Sequence, residues 1–159
     1  MMHHADLDVD VTTGVRFHPV EIVLSMVIKL AVVFLTGAPP SAVLIFEVVL
    51  NATSMFNHSN VRMPGGLDRI LRWFVVTPDM HRIHHSVIRQ ETNSNFGFNL
   101  PWWDRLLGTY RTDPAKGQIG MIIGLNQFRN PDRLTLPWML ALPFVEVTGD
   151  YPLNEGKEK

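Results

Sequence analysis

Val20–Thr36 reads VEIVLSMVIKLAVVFLT, Gly37-Ala38-Pro39-Pro40 interrupts it, and Ser41–Phe56 resumes as SAVLIFEVVLNATSMF. Two long apolar runs on either side of a Gly/Pro break predict two helices folded back on each other, because neither run alternates as a strand would and the break cannot continue a helix. Each run is a little shorter than the roughly 20 residues that cross a bilayer, and each carries one charge in its interior, Lys29 and Glu47, besides Glu21 at the start of the first. The two charges stand at similar distances from the break. An antiparallel hairpin therefore brings them to the same depth, where pairing offsets much of the cost of a charge in hydrocarbon. The expectation is a membrane hairpin, with a soluble helical hairpin carrying both charges at its surface as the alternative. No signal peptide is expected, since the apolar run starts late and no small-residue cleavage site follows it.

Beyond the hairpin the chain turns basic, with Arg62, Arg69, Arg72, Arg82 and Arg89 in a short span, a bias that marks the cytoplasmic side. Leu67, Ile70, Leu71 and Phe74 recur at helical spacing among Asp68, Arg69 and Arg72, as in a helix lying in the membrane interface. Thr77-Pro78 opens another helix, with threonine as cap and proline at the first helical position. The stretch from Leu134 to Val147 is apolar but broken by Pro137 and Pro143, so it is expected to pack or to lie at the interface rather than to span. The charged end, Asn154–Lys159, is expected to fray. Trp73, Trp102, Trp103 and Trp138 are read as interfacial anchors. The predicted fold is all-α: a membrane helical hairpin, interfacial helices and a cytosolic helical cap bearing histidines.

Length and composition bound the chemistry. A chain of 159 residues suits one domain, and a formal net charge of −1 gives no reason to expect a nucleic-acid partner. There is no cysteine, which removes disulfides, thiolate metal sites and thiol nucleophiles, so any metal rests on nitrogen and oxygen ligands. Of the seven histidines, five fall in two tight groups. His81, His84 and His85 form an H-x-x-H-H group on the helix that starts near Pro78, and spacings of three and four put them on one face. Neutral imidazoles of this kind suit iron, zinc or copper. His3 and His4 form the second group. A chain that enters the bilayer after Val20 and leaves near Phe56 returns to the side it started from, so the two groups share a compartment. His58 sits where the second helix emerges and reaches the same cluster. His18, in Phe17-His18-Pro19 just before the first helix, is expected to support the cluster rather than to bind metal, and Asn60 and Asn95 to orient imidazoles by hydrogen bonds.

These residues resemble the fatty acid hydroxylase/sterol desaturase superfamily, whose members carry an H-x-x-x-H box, an H-x-x-H-H box, a histidine after a hydrophobic hairpin and a last H-x-x-H-H box. The last box stands here as His81-Arg82-Ile83-His84-His85, with Thr77-Pro78-Asp79-Met80 before it and Glu91-Thr92-Asn93-Ser94-Asn95-Phe96-Gly97 after it. Trp103-Asp104-Arg105-Leu106-Leu107-Gly108-Thr109-Tyr110 resembles the stretch that follows in bacterial members. His58 matches the histidine after the hairpin. His3 and His4 match the closing pair of the earlier H-x-x-H-H box, followed in family order by Asp6, Thr12-Thr13 and Phe17-His18-Pro19. The likeness runs over residues 1–159, read as the C-terminal portion of the domain. It departs from the pattern at the start: the earlier box would need its first histidine one place before Met1, and the H-x-x-x-H box and its helices are missing.

The resemblance implies a membrane-bound non-haem di-iron oxygenase that hydroxylates or desaturates a fatty acyl or sterol-like lipid with O2. It implies two Fe ions held by His3, His4, His58, His81, His84 and His85, and electrons from an external ferredoxin or cytochrome-type donor. Two other readings stay open. One is a mononuclear zinc or iron hydrolase, with Asp79 or Glu91 as general base. The other is a vestigial membrane protein without activity.

Overall fold

A computed structural model describes residues 2–145. The expectations for residues 146 and 147 and for Asn154–Lys159 lie outside the described residues. The two apolar runs form α1, Pro19–Thr36, and α2, Pro40–Asn57, close to the predicted limits. The start of α1 is fixed by a reciprocal cap: the Val20 amide donates to His18 Nδ1 at 3.2 Å and the His18 amide to Glu21 Oε2 at 2.9 Å. Its end is a glycine, Gly37, at φ 64°, where a side chain would strain the turn. The predicted meeting of Lys29 and Glu47 is present, Nζ to Oε1 at 2.6 Å.

By length and composition α1 can cross a membrane: its mean hydropathy is 2.1 and none of its side chains is buried. It alone among the described residues meets that standard. Helix α2 falls short of it, because its last turns carry Asn51, Thr53, Ser54 and Asn57 and belong partly to the site. Ser54 Oγ donates to the Gly14 carbonyl at 3.0 Å, and Asn57 Nδ2 to the Phe98 carbonyl at 2.8 Å.

Helix α3, Gly65–Leu71, is inside out. Asp68 and Arg72 are buried and paired at 2.7 Å, and Arg72 Nη1 donates to the Thr112 carbonyl at 2.6 Å. Leu67, Ile70, Trp73 and Phe74 meanwhile face outward, the arrangement expected where the outside is apolar. Arg105, on α6 (Trp102–Leu107), lies over the Trp73 ring at 4.1 Å and the Tyr110 ring at 3.9 Å. Trp73, Trp102 and Trp103 are exposed, as an interfacial role requires. Trp138 is not an anchor of that kind: its ring packs on Phe128 at 6.0 Å, against a small core of Ala5, Leu125, Phe128, Met139 and Leu142. The Pro-interrupted tail builds that core through α8, Leu136–Ala141, so its role is packing.

The histidine-bearing helix α4 spans Pro78–His84, with Thr77 Oγ1 accepting from the Met80 amide. No strand occurs among the described residues, only a single bridge between Ser86 and Ile123. The loop after α4 and α5 (Arg89–Thr92) turns on Asn95, the one non-glycine at positive φ (50°) among the described residues. Asparagine tolerates this region better than most residues. Its Nδ2 donates to the carbonyls of Met80 and Arg111 at 2.9 and 3.0 Å, and its Oδ1 accepts from the Arg111 amide at 2.9 Å. Asn95→Ala is expected to lower stability by about 3 kcal/mol, because it strands buried backbone groups of α4. A thermal melt compared with the parent protein checks it.

Candidate metal centre

Three pieces of chain far apart in sequence deliver the imidazoles. The 3-10 turn His3–Ala5 sinks Ala5 into the small core, which turns His3 and His4 toward α4. The C-terminal residue of α2 hands over to His58, and the Gly14 backbone approaches this point so closely that a Cβ there would lie 3.2 Å from His58 Nδ1. The end of α4 supplies His81, His84 and His85.

His3, His58, His81 and His85 converge, each offering one ligand atom, and these atoms lie within 4.8 Å of one another. Nε2 of His58 is 3.1 Å from Nε2 of His3 and 3.0 Å from that of His81, and His81 Nε2 is 3.3 Å from His85 Nε2. Hydrogen bonding does not account for this pattern. Each ring nitrogen has a single in-plane direction, holding either a proton or a lone pair, so the nitrogens of His58 and His81 cannot each serve two partners well. Nitrogens about 2.0–2.1 Å from a common ion would stand roughly 2.9–3.4 Å apart for bond angles between a right angle and the tetrahedral value, the spacing seen here. His58 Nδ1 lies 2.7 Å from the Ser54 carbonyl and must donate to it, which leaves its Nε2 as a bare lone pair. His84 Nδ1 donates likewise to the Ser94 carbonyl at 2.9 Å.

His4 and His84 stand beside this quartet. Their ring centroids are 4.6 Å apart, and His4 also stacks on His85 at 4.6 Å. Six of the seven histidines thus form one patch. The seventh, His18, touches no imidazole: besides capping α1, its Nε2 meets the Leu140 carbonyl at 3.0 Å. Asn60 is exposed and has no described contact with an imidazole, because α2 ends before it and the chain leaves toward α3. Asn95 holds the backbone of α4 rather than a ring. Sequence reasoning missed Phe17, whose ring stacks on His3 at 4.7 Å; its place beside His18-Pro19 was the available signal.

Burial keeps the patch neutral. Desolvation, helped by the neighbouring imidazoles His58 and His84, pushes His3 from 6.5 down to about 3. Desolvation and His84 take His4 down to about 2. His58 and His84 are lowered, and His81 and His85 lie well below the ordinary value, again through burial first. Neutral imidazole is the form that binds metal. The ring nitrogen Nδ1 of His4 is buried without a hydrogen-bond partner, a state that is costly unless another partner, such as a metal, takes it. The residues fit a metal. Uptake of Fe2+ or Zn2+ at pH 7 is therefore expected to release no protons from them, so calorimetric heats in buffers of different ionisation enthalpy should agree.

A groove of about 630 Å³ lies between α1 and α2, lined among others by Phe17, Ile22, Met26, Leu50, Ser54 and Phe98, of which Phe17 stacks on His3 and Ser54 accepts from His58 through its carbonyl. Comparison with known proteins completes the site. The family model described as fatty acid hydroxylase matches residues 1–109. An ornithine lipid hydroxylase of Rhizobium tropici is 35% identical over 114 residues, covering 71% of this chain and 33% of that protein. An alkylglycerol monooxygenase of Xenopus tropicalis is 27% identical over 127 residues, covering 79% of this chain and 27% of that protein. The chain thus spans a third or less of the length of these relatives. No solved structure matches it significantly.

Proposed function

The chain belongs to the fatty acid hydroxylase family, and from that footing we propose that it carries the metal centre and substrate groove of a membrane-bound, non-haem di-iron oxygenase acting on a lipid. The observation that carries the reading is the convergence of four neutral imidazoles, beside a largely apolar groove whose wall includes Phe17, stacked on His3, and Ser54, whose carbonyl accepts from His58. His3, His58, His81 and His85 would hold one iron, and His4 and His84 would contribute to a second. When bound, the irons supply the activation of dioxygen needed to attack an unactivated C–H bond.

The protein's own part is to position and to exclude. The bare faces of α1 and the outward apolar side chains of α3 and α6 seat the molecule in hydrocarbon and its interface. The basic residues after α2 support a cytoplasmic position for the histidines. Phe17, stacked on His3, forms the wall between groove and imidazoles, and a lipid chain lying along it brings one carbon to the centre. The net reaction inserts one oxygen atom of O2 into a C–H bond and releases the other as water. It consumes two electrons and two protons, drawn from an external ferredoxin or cytochrome-type donor. Hydroxylation is favoured over desaturation, since the two relatives are named a hydroxylase and a monooxygenase.

Neither candidate base of the hydrolase alternative is among the groups that converge with the imidazoles. Asp79 is paired with Arg82 at 3.3 Å, and Glu91 is buried with Oε1 accepting from the Ala115 amide. Four imidazoles also fill a tetrahedral zinc ion, while iron, which takes up to six ligands, keeps positions open. The test is iron analysis and reductant-dependent O2 uptake on the purified chain in lipid nanodiscs, with His4→Ala/His84→Ala beside it. Iron in the parent and less in the variant support the proposal. A parent that binds zinc in preference to iron, or no metal, overturns it.

A further inference from the structure

The groove ends on a feature that the metal chemistry does not use. Lys29 and Glu47 both line it and close on each other at 2.6 Å, across from α1 to α2. Of the polar side chains that line the wall short of this pair, Glu21, Asn51 and Ser54 hold partners within the fold, and Ser25 is the fourth. Glu21 accepts from the His18 amide, Asn51 Nδ2 donates to the Glu47 carbonyl at 2.8 Å, and Ser54 Oγ donates to the Gly14 carbonyl. A ligand in the groove therefore meets mainly apolar side chains until it reaches the ion pair, which suits a single unbranched alkyl chain. Passing beyond would require that chain to part the two charges in an apolar setting, where an unpaired ammonium or carboxylate is costly. Glu47 lies about 10 Å along α2 from Ser54, at 1.5 Å per residue, less than the roughly 15 Å of hydrocarbon in one leaflet.

We propose that the Lys29–Glu47 ion pair is the floor of the groove and sets the length of alkyl chain that it seats. The proposal rests on the lipid-substrate reading above. Below the floor length each added methylene is buried and raises affinity about 4-fold, from about 0.8 kcal/mol per methylene; above it the gain stops.

The experiment is displacement of a dansyl-labelled fatty acid by saturated fatty acids of increasing length, with the full chain in detergent micelles. For the parent protein, affinity should rise with length and then level off. In Lys29→Met/Glu47→Met, which removes the charges at similar volume, it should go on rising past that length. In Lys29→Glu/Glu47→Lys, which restores a pair, the levelling should return. An unchanged plateau in the methionine variant, or a parent without a plateau, overturns the ruler while leaving lipid binding intact. A parent that displaces no probe with any fatty acid overturns the lipid reading itself and the ruler with it. If the methionine variant does not fold, fatty acids with a terminal diazirine decide on the parent protein. Cross-links at Met26 or Leu50 support the floor, and cross-links at Val33 or Ile45, beyond the pair, overturn it.

Discussion

His85→Ala is expected to lower the affinity for ferrous iron by at least about 100-fold, since even groups that merely support a ligand are worth 10–100-fold. The expectation rests on the position of that ring at the middle of the patch. Its centroid lies 4.8 Å from that of His3, 4.6 Å from His4, 5.3 Å from His58, 5.0 Å from His81 and 5.7 Å from His84. No other single change removes a ligand of the quartet and the ring packed against the remaining pair. His85→Gln retains most of the volume and should lose the metal as well, which separates ligation from filling space. His18→Ala is the counterpart: it deletes the cap of α1, at about 1 kcal/mol, and should leave metal affinity unchanged. Titration of the three variants with Fe2+ under anaerobic conditions checks the set. Parent-like affinity in both His85 variants would remove the quartet from consideration as a metal centre.

Removing metal with a chelator is expected to leave a protein that is stable near pH 7 and unfolds in mild acid. Imidazoles of the unfolded chain take up protons as pH falls through 6.5. Those of the folded chain do not, because burial holds His3 to about 3 and His4 to about 2 and moves the other four the same way. The unfolded state then binds more protons, so stability is complete above pH 7 and is lost as pH falls from there toward pH 3. His3 and His4 alone give a slope of about 2.7 kcal/mol per pH unit below pH 6. Against a stability at the low end of the roughly 5–15 kcal/mol of a domain, that slope alone places acid unfolding at about pH 4.5, and the other four imidazoles act in the same direction. Bound metal should shift the transition to lower pH. Circular dichroism melts at steps of pH, with and without chelator, read this directly, and a flat profile from pH 7 to 5 would contradict the burial of the patch.

The hairpin, its limits and the Lys29–Glu47 contact were legible in the sequence, because hydrophobic runs and a Gly/Pro break are local signals. So was the gathering of six histidines, which follows once both ends of a hairpin are known to return to one side. What local signals do not carry is how the rings divide. His84 turns toward His4 while His85, outside the helix proper, joins His3 and His58, and that partition depends on the Ser94 and Ser54 carbonyls that fix the tautomers. Asn60 stands close to His58 in sequence, but the chain turns away after His58 and leaves Asn60 exposed. Trp138 looked like its three exposed counterparts because composition does not reveal that Phe128 waits beside it. The inside-out helix α3 shows the reverse case, since its periodicity was plain but only its buried Asp68–Arg72 pair tells which side faces the protein.

The core of Ala5, Phe128, Met139 and Leu142 links the opposite extremes of the described chain, and two ligands stand immediately before Ala5. On the proposed function, metal uptake at these residues and docking of α8 are therefore expected to be coupled, each favouring the other. An ion that holds His3 and His4 also holds the turn on which Leu142 and Met139 rest, and a loosened α8 frees the turn that presents the two imidazoles. Protease attack around Leu136 should accordingly slow when metal is supplied, which makes the tail a reporter of cofactor occupancy.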